Sequence, residues 1–270
     1  MRVRSTLAAV VLLCVSAVPL CAQDLETLPT LDLSTALARL STDPLPLDAL
    51  STAAQRIDAH TDDIAPAAST IKGAIADSLR LLAIEHSIRI GFQDKTRREL
   101  GGHFWRDYRR SVKMPTTWED GDSWAVNYLG HPIHGAASGF IWLDHEDGAH
   151  DPELGFSGKY WGSRGRAAAW IAVYSYQFEF GPLSEASIGN VGLRERTTGW
   201  VDHVVTPAGG LGILVAEDAL DRFLIRRIES WTSNRFFRAS VRMLFNPSRT
   251  LSNLSQGRVP WHRAVRPIGR

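Results

Sequence analysis

Cysteine is nearly absent: the 270-residue chain has two, Cys14 and Cys21. Both fall in an N-terminal stretch that reads as a secretory signal over residues 1–22, with basic MRVR, an apolar run over 5–20 and the small Ala22 at the expected cleavage point. A chain processed there has no thiol, which excludes a disulfide framework and thiol chemistry even in an oxidising compartment. Lipidation at Cys21 is disfavoured, because Leu20 rather than a small residue precedes it.

Other absences narrow the chemistry. There is no phosphate loop, no dinucleotide fingerprint and no zinc-protease helix motif. Gly155-Phe156-Ser157-Gly158 lacks the spacing of a serine-hydrolase elbow. Runs of alternating strand pattern and internal repeats are missing too. Bulk charge names no partner: 30 basic and 29 acidic residues give +1, and loss of Arg2 and Arg4 leaves 28 against 29.

The distribution of charge says more. Residues 23–63 carry eight acids and two arginines, whereas 222–270 carry eleven arginines and one acid, Glu229. An acidic, poorly ordered leader over 23–66, a helical domain over 67–255 and a basic, poorly ordered tail over 256–270 are expected. For an exported chain the natural anion is a lipid head group rather than nucleic acid.

What is present is helical. Residues 69–92 place Ile71, Ile75, Leu79, Leu82, Ile84, Ile88 and Ile90 mostly at three- and four-residue steps, with Ser69 as cap and His86 at the surface or core edge. Residues 122–143, DSWAVNYLGHPIHGAASGFIWL, form the central element. Asp122 or Ser123 caps it, and Asn127, His131 and Gly135 share one face, with Trp124, Ser138 and Trp142 beside them. Pro132 should bend this helix, and Gly135 and Gly139 admit a neighbouring backbone. It carries no formal charge over 123–143, so its length would suffice to span a bilayer, against which Asn127, Pro132 and the histidines argue. The following stretch, with His145 and His150 among acids, reads as a solvated loop.

Two further helices carry polar groups in apolar faces. Residues 163–181 have an uncharged run over 167–178, too short to span, with Ile171, Ser175 and Glu179 on one face. Residues 199–224 set Asp202 and Thr206 four apart, then Pro207, Gly209 and Gly210. Residues 231–245 form a basic amphipathic helix with Arg235, Arg238 and Arg242 on one face, which Asn246-Pro247 stops. The expected fold is all-α, an irregular bundle of four to six helices, partly membrane-associated.

If the three unusual faces meet, their polar groups meet as well. Glu179 and Asp202 would then need His131, Asn127, Thr206 or a backbone donor as partners. A histidine held between two carboxylates would have a raised pKa and could act as a general acid or base. His131, Glu179 and Asp202 are the catalytic candidates, and Trp124, Asn127, Ser175, Thr206, Arg235, Arg238 and Arg242 the binding candidates. The same trio could ligate a metal, with His134 as a further ligand or a bystander, but no local spacing argues for one, and no cofactor or metal is expected. A network that merely fixes helix register is the competing reading.

The pattern D-x-W-x-x-N-x-x-x-H-P-x-x-G from Asp122 to Gly135, Ser175 with F-E-F-G around Glu179, and D-x-x-x-T-P-x-G-G from Asp202 to Gly210 with Glu217 resembles an uncharacterised family of bacterial envelope proteins. Asn246-Pro247 fits it, and Phe178 stands where that family usually has tryptophan. The resemblance, over roughly 100–255, implies envelope location and fold more than activity. The layout of polar groups in helices is also similar to that of VanZ-like membrane proteins. The leading expectation is an exported envelope protein, periplasmic or bound to the inner or outer membrane, of structural or binding role. The alternatives are a lipid or glycolipid hydrolase or transferase, with Asn127 holding an oxyanion or head group, and a subunit that binds an envelope protein partner through its leader.

Overall fold

The computed structural model describes residues 71–268 except 93, 101–102, 113–114, 147–153 and 189–197. The expected signal, the acidic leader, Ser69 and His150 lie outside them. Among the described residues there is no strand, and the fold is an all-α irregular bundle. Its helices are α1 (Ile71–Phe92), α2 (Asp94–Glu99), α3 (Phe104–Ser111), α4 (His131–His145), α5 (Gly158–Phe180), α6 (Trp200–Leu220), α7 (Arg226–Ser230), α8 (Arg235–Phe245) and α9 (Pro247–Ser255). Five of these, α1, α4, α5, α6 and α8, are eleven residues or longer. No described helix is long and apolar enough to cross a membrane.

α4 is the axle of the bundle, packing on α1, α5, α6 and α9, with 12 of its 15 residues buried. Its approach begins at Ser123, whose carbonyl accepts from Val126 and Asn127 N–H while its hydroxyl accepts weakly from Val126 N–H at 3.4 Å. A π-turn, Val126–Gly130, then carries the chain into α4. The bend expected at Pro132 is replaced by this turn. His131 N–H bonds back to Val126 C=O, and Pro132 falls in the first turn of α4, where a missing N–H leaves no bond broken.

Small residues let α6 come close. A Cβ on Gly135 would stand 2.8 Å from the Thr206 carbonyl oxygen, and one on Gly209 2.8 Å from the Pro132 ring. One on Gly139 would strike Ile171 and Leu214 at 2.8 Å. Two apolar clusters flank this seam. Ala136, Phe140, Leu143, Ala167, Ile171 and Leu214 join α4, α5 and α6, whereas Ala74, Leu81, Leu82, Ala137, Ile141, Tyr174 and Phe178 join α1, α4 and α5.

α1 turns a different face inward from the one its isoleucines suggest. Ile71, Ile75 and Leu79 are exposed, while Ala74, Asp77, Ser78, Leu81, Leu82 and Arg89 are buried. The reason is pairing. Asp77 meets His145 at 2.7 Å, and Glu85 accepts from the Tyr174 hydroxyl at 2.7 Å. Arg89 pairs with Glu185 and lies 5.4 Å over the Phe178 ring. Buried α4 and α5 polar groups need partners, and α1 presents the side that supplies them. His145 is therefore buried at the end of α4 rather than in a solvated loop. His86 sits at the core edge, as expected, with Nε2 2.6 Å from the Leu183 carbonyl oxygen.

The C-terminal region closes the other side. α6 runs through Pro207 without ending, then passes by a π-turn, Asp221–Ile225, into α7. Glu217 accepts from the N–H groups of Ser248 and Arg249, at 2.8 and 3.1 Å, and so caps α9 from within α6. The tail expected to be poorly ordered packs instead: Val259, Arg263 and Ile268 are buried. Arg242 explains this, because it is fully buried, pairs with Glu229 and donates to the carbonyls of Trp261 and Arg266 at 3.0 and 2.8 Å. It does not belong to an exposed basic face with Arg235. Arginines in the tail satisfy Glu229 and Asp221 and are thereby held.

Gly135→Ala is expected to lose about 2 kcal/mol in chemical denaturation, because α4 and α6 must separate. Gly212→Ala, where a Cβ meets nothing within 4 Å, should gain about 0.5–1 kcal/mol from helix propensity. Arg242→Ala removes the buried guanidinium that joins Glu229 to the carbonyls of Trp261 and Arg266 and should cost about 3 kcal/mol, whereas Arg235→Ala should change stability by less than about 0.5 kcal/mol.

Candidate functional site

The three unusual helix faces do meet. α4 brings His131, α5 brings Glu179 and α6 brings Asp202, each at most 5% exposed. One donor atom from each lies within 4.8 Å of the other two. His131 Nε2 is 3.7 Å from Asp202 Oδ1, too far for a hydrogen bond. Among the described residues, Asp202 Oδ1 and His131 Nδ1 are buried without hydrogen-bond partners, as are Thr206 Oγ1 and Asn127 Oδ1.

Backbone contacts fix these positions. The bend at Thr117 and Trp118 docks on the start of α6, where Trp200 and Val201 N–H donate to the carbonyls of Thr117 and Trp118, both at 3.0 Å. Gly199 permits this, since a Cβ there would lie 2.5 Å from the Trp118 carbonyl oxygen. The docking delivers Asp120, whose Oδ1 accepts from Asn127 Nδ2 at 2.7 Å and from Asp122 N–H at 3.0 Å. After α5 the chain turns back, with Glu185 and Ala186 N–H donating to the carbonyls of Phe178 and Glu179 at 2.8 and 3.2 Å. That turn places Glu185 on Arg89.

The electrostatics follow from burial. Glu179 is pushed well above the usual carboxylate range, by burial first and by Asp120 and Asp122, against the pull of Arg89. Asp202 moves the same way, through burial and then the charges of Glu179, Asp120 and Asp122. The raised pKa expected for His131 is reversed. Burial, then His134 and Arg89, lower it well below 6.5, so the imidazole is neutral. The expectation failed because neither carboxylate reaches the ring, and desolvation of the cation outweighs a field that is not a contact.

The remaining candidates divide. Ser175 is buried and its hydroxyl points to the Asp202 carbonyl, a long contact at 3.4 Å. Thr206 is wholly buried at the Gly135 crossing. Trp124 is 66% exposed and stacks on Tyr128 with ring centroids 5.7 Å apart, so it does not line the cluster. Arg235, Arg238 and Arg242 sit on α8, which supplies none of the trio. His134 faces away from His131's partners: its Nδ1 lies 3.5 Å from Glu85, and its ring meets Phe178 edge-on at 4.5 Å.

Arg89, Asp120 and Glu185 escaped the sequence reading. Arg89 had a usable signal, because Asp77, Leu81, Glu85 and Arg89 fall at four-residue steps on one face of α1. Asp120 and Glu185 lie in turns, where no periodicity points inward. No family model, curated protein or solved structure matches the chain. Function is therefore read from the site's own geometry.

In chelator-treated buffer at about pH 8, Glu179→Gln and Asp202→Asn are each expected to stabilise the protein by about 1–2 kcal/mol, since an amide needs no compensating charge in this surrounding. Denaturation midpoints measure this. A loss of several degrees would mean that the carboxylates hold the bundle together.

Proposed function

We propose that the protein is an exported cell-envelope protein of binding role, working at an anionic membrane surface and taking its ligand at the cluster of His131, Glu179 and Asp202. One observation carries the binding role: α4, α5 and α6 converge on a buried cluster in which Asp202 Oδ1, His131 Nδ1, Thr206 Oγ1 and Asn127 Oδ1 find no hydrogen-bond partner among the described residues. Each such atom costs about 1–3 kcal/mol, a penalty that a purely structural network would avoid by closing its hydrogen bonds.

Support for the membrane surface comes from the outer faces of α7, α8 and the π-turn before α7. Phe223, Trp231, Phe236, Phe237 and Leu244 are exposed there. Arg222 lies over the Phe223 ring at 5.3 Å and Arg227 over Trp231 at 5.7 Å. Exposed aromatics paired with arginine suit the interface between head groups and acyl chains, where the ring enters and the guanidinium meets phosphate. The acids nearby, Asp221 and Glu229, are already matched by Arg266, which leaves little negative charge to oppose such an approach.

A second reading, a hydrolase or transferase acting on a lipid or glycolipid, is favoured by the convergence of the His131 imidazole with two carboxyl groups. The 3.7 Å gap to Asp202 leaves that imidazole without an orienting hydrogen bond, so binding ranks first.

Membrane attachment is tested by sedimentation with vesicles of phosphatidylglycerol and phosphatidylcholine. Arg227→Glu with Arg235→Glu should release the protein from the anionic vesicles, by about 1 kcal/mol for each arginine near the surface and more with reversed charge. Unchanged binding would sink the membrane part of the reading.

A further inference from the structure

The cluster's donor set has a chemistry of its own. An imidazole nitrogen and two carboxyl oxygens, brought from three separate helices, make a mixed nitrogen and oxygen set suited to a first-row divalent ion. Zinc holds such atoms at about 2.0–2.2 Å, which in a tetrahedron sets neighbouring ligands about 3.3 Å apart. The 3.7 Å between His131 Nε2 and Asp202 Oδ1 is close to that spacing. The widest separation in the trio is at most 4.8 Å.

We propose that His131 Nε2, Asp202 Oδ1 and a Glu179 carboxylate oxygen bind one divalent transition ion of the zinc or manganese class. The inference rests on the reading of this cluster as a binding site and names what it binds.

Two observations besides the trio's convergence support it. Asp202 Oδ1, in a side chain 6% exposed, faces the imidazole and accepts no hydrogen bond. A buried carboxylate oxygen without a donor is costly in a finished network and is what a metal ligand offers before it is engaged. The second observation is that the nearest guanidinium is committed elsewhere. Arg89 pairs with Glu185 and lies 3.8 Å from Asp122, and among the described residues neither carboxyl group of the trio is paired with an arginine or lysine. A divalent ion would supply the missing positive partner to both.

Three protein ligands leave a coordination position open, as sites that act on a ligand do and closed structural sites do not. Thr206 Oγ1 on α6 and Asn127 Oδ1 in the π-turn before α4, also without hydrogen-bond partners among the described residues, stand four positions along the chain from Asp202 and His131.

The test uses the full chain, stripped with chelator and titrated with zinc and manganese chloride by calorimetry, with elemental analysis of the dialysed complex. Cobalt serves as the visible-absorption probe of the same site. One ion per chain is expected. Glu179→Gln and Asp202→Asn, near-isosteric changes chosen to keep the fold, should each weaken binding by about 100-fold or more and abolish the cobalt spectrum. His103→Ala, at an exposed histidine, should leave both unchanged. Failure of the parent to bind an ion, or binding that survives either carboxylate substitution, overturns the proposal.

Melting without added ion tells the two levels of failure apart. Variants at least as stable as a parent that binds no metal would overturn the ion and leave the cluster as a binding site for another ligand. Variants several degrees less stable than such a parent would overturn the binding role as well.

Discussion

The close crossing of α4 and α6 is the contact on which the rest depends. It is set by glycine: at Gly135 the Thr206 carbonyl occupies the place of a Cβ, and at Gly210 the α4 backbone stands 3.2 Å from where one would be. Only at that separation can His131 and Asp202, borne by different helices, come within 3.7 Å. A single added methyl would move the pair apart while leaving both helices intact, so the site is less robust than the fold. The π-turn before α4 belongs to the same constraint, because it lets Pro132 enter the first helical turn and pack against Gly209.

Around that seam, burial of charge governs the architecture. Arg164 with Asp218 and Tyr160, Arg242 with Glu229, and Arg89 with Glu185 each place a guanidinium inside the protein beside its carboxylate. Such pairs add little net stability against apolar replacements of the same shape, but breaking one is expensive. They therefore specify which surfaces meet. α1 shows the consequence, since Ile71, Ile75 and Leu79 face outward while Asp77, Glu85 and Arg89 reach partners on α4, on α5 and in the turn after α5. The trio differs from these pairs. Among the described residues its carboxyl groups have no hydrogen bond from His131 and no arginine partner.

Much of the candidate site was legible because its signals were local. Asn127, His131 and Gly135 at four-residue steps, Glu179 after Ser175, and Asp202 before Thr206 are each fixed on a face by the helical repeat alone. The glycines announced a close approach without naming what approached. The expected ionisation of His131 was reversed because it depends on depth and on atomic distances that periodicity does not contain. Trp124 was misplaced for a related reason: a π-turn begins just after it, and the face it shares with later residues no longer follows the regular angle.

The sequence by itself determined that the chain is helical, where its long helices run, and that three of them carry polar groups in apolar faces. These properties arise from residues within one or two turns of each other. Tertiary structure alone decided which face of α1 is inside, that Arg242 is buried with a packed tail around it, and that burial lowers the pKa of His131 while raising those of Glu179 and Asp202. Those outcomes depend on pairings such as Asp77 with His145, 68 residues apart, and on the removal of water from all partners at once. Desolvation is a property of the assembled bundle, and no single helix carries it.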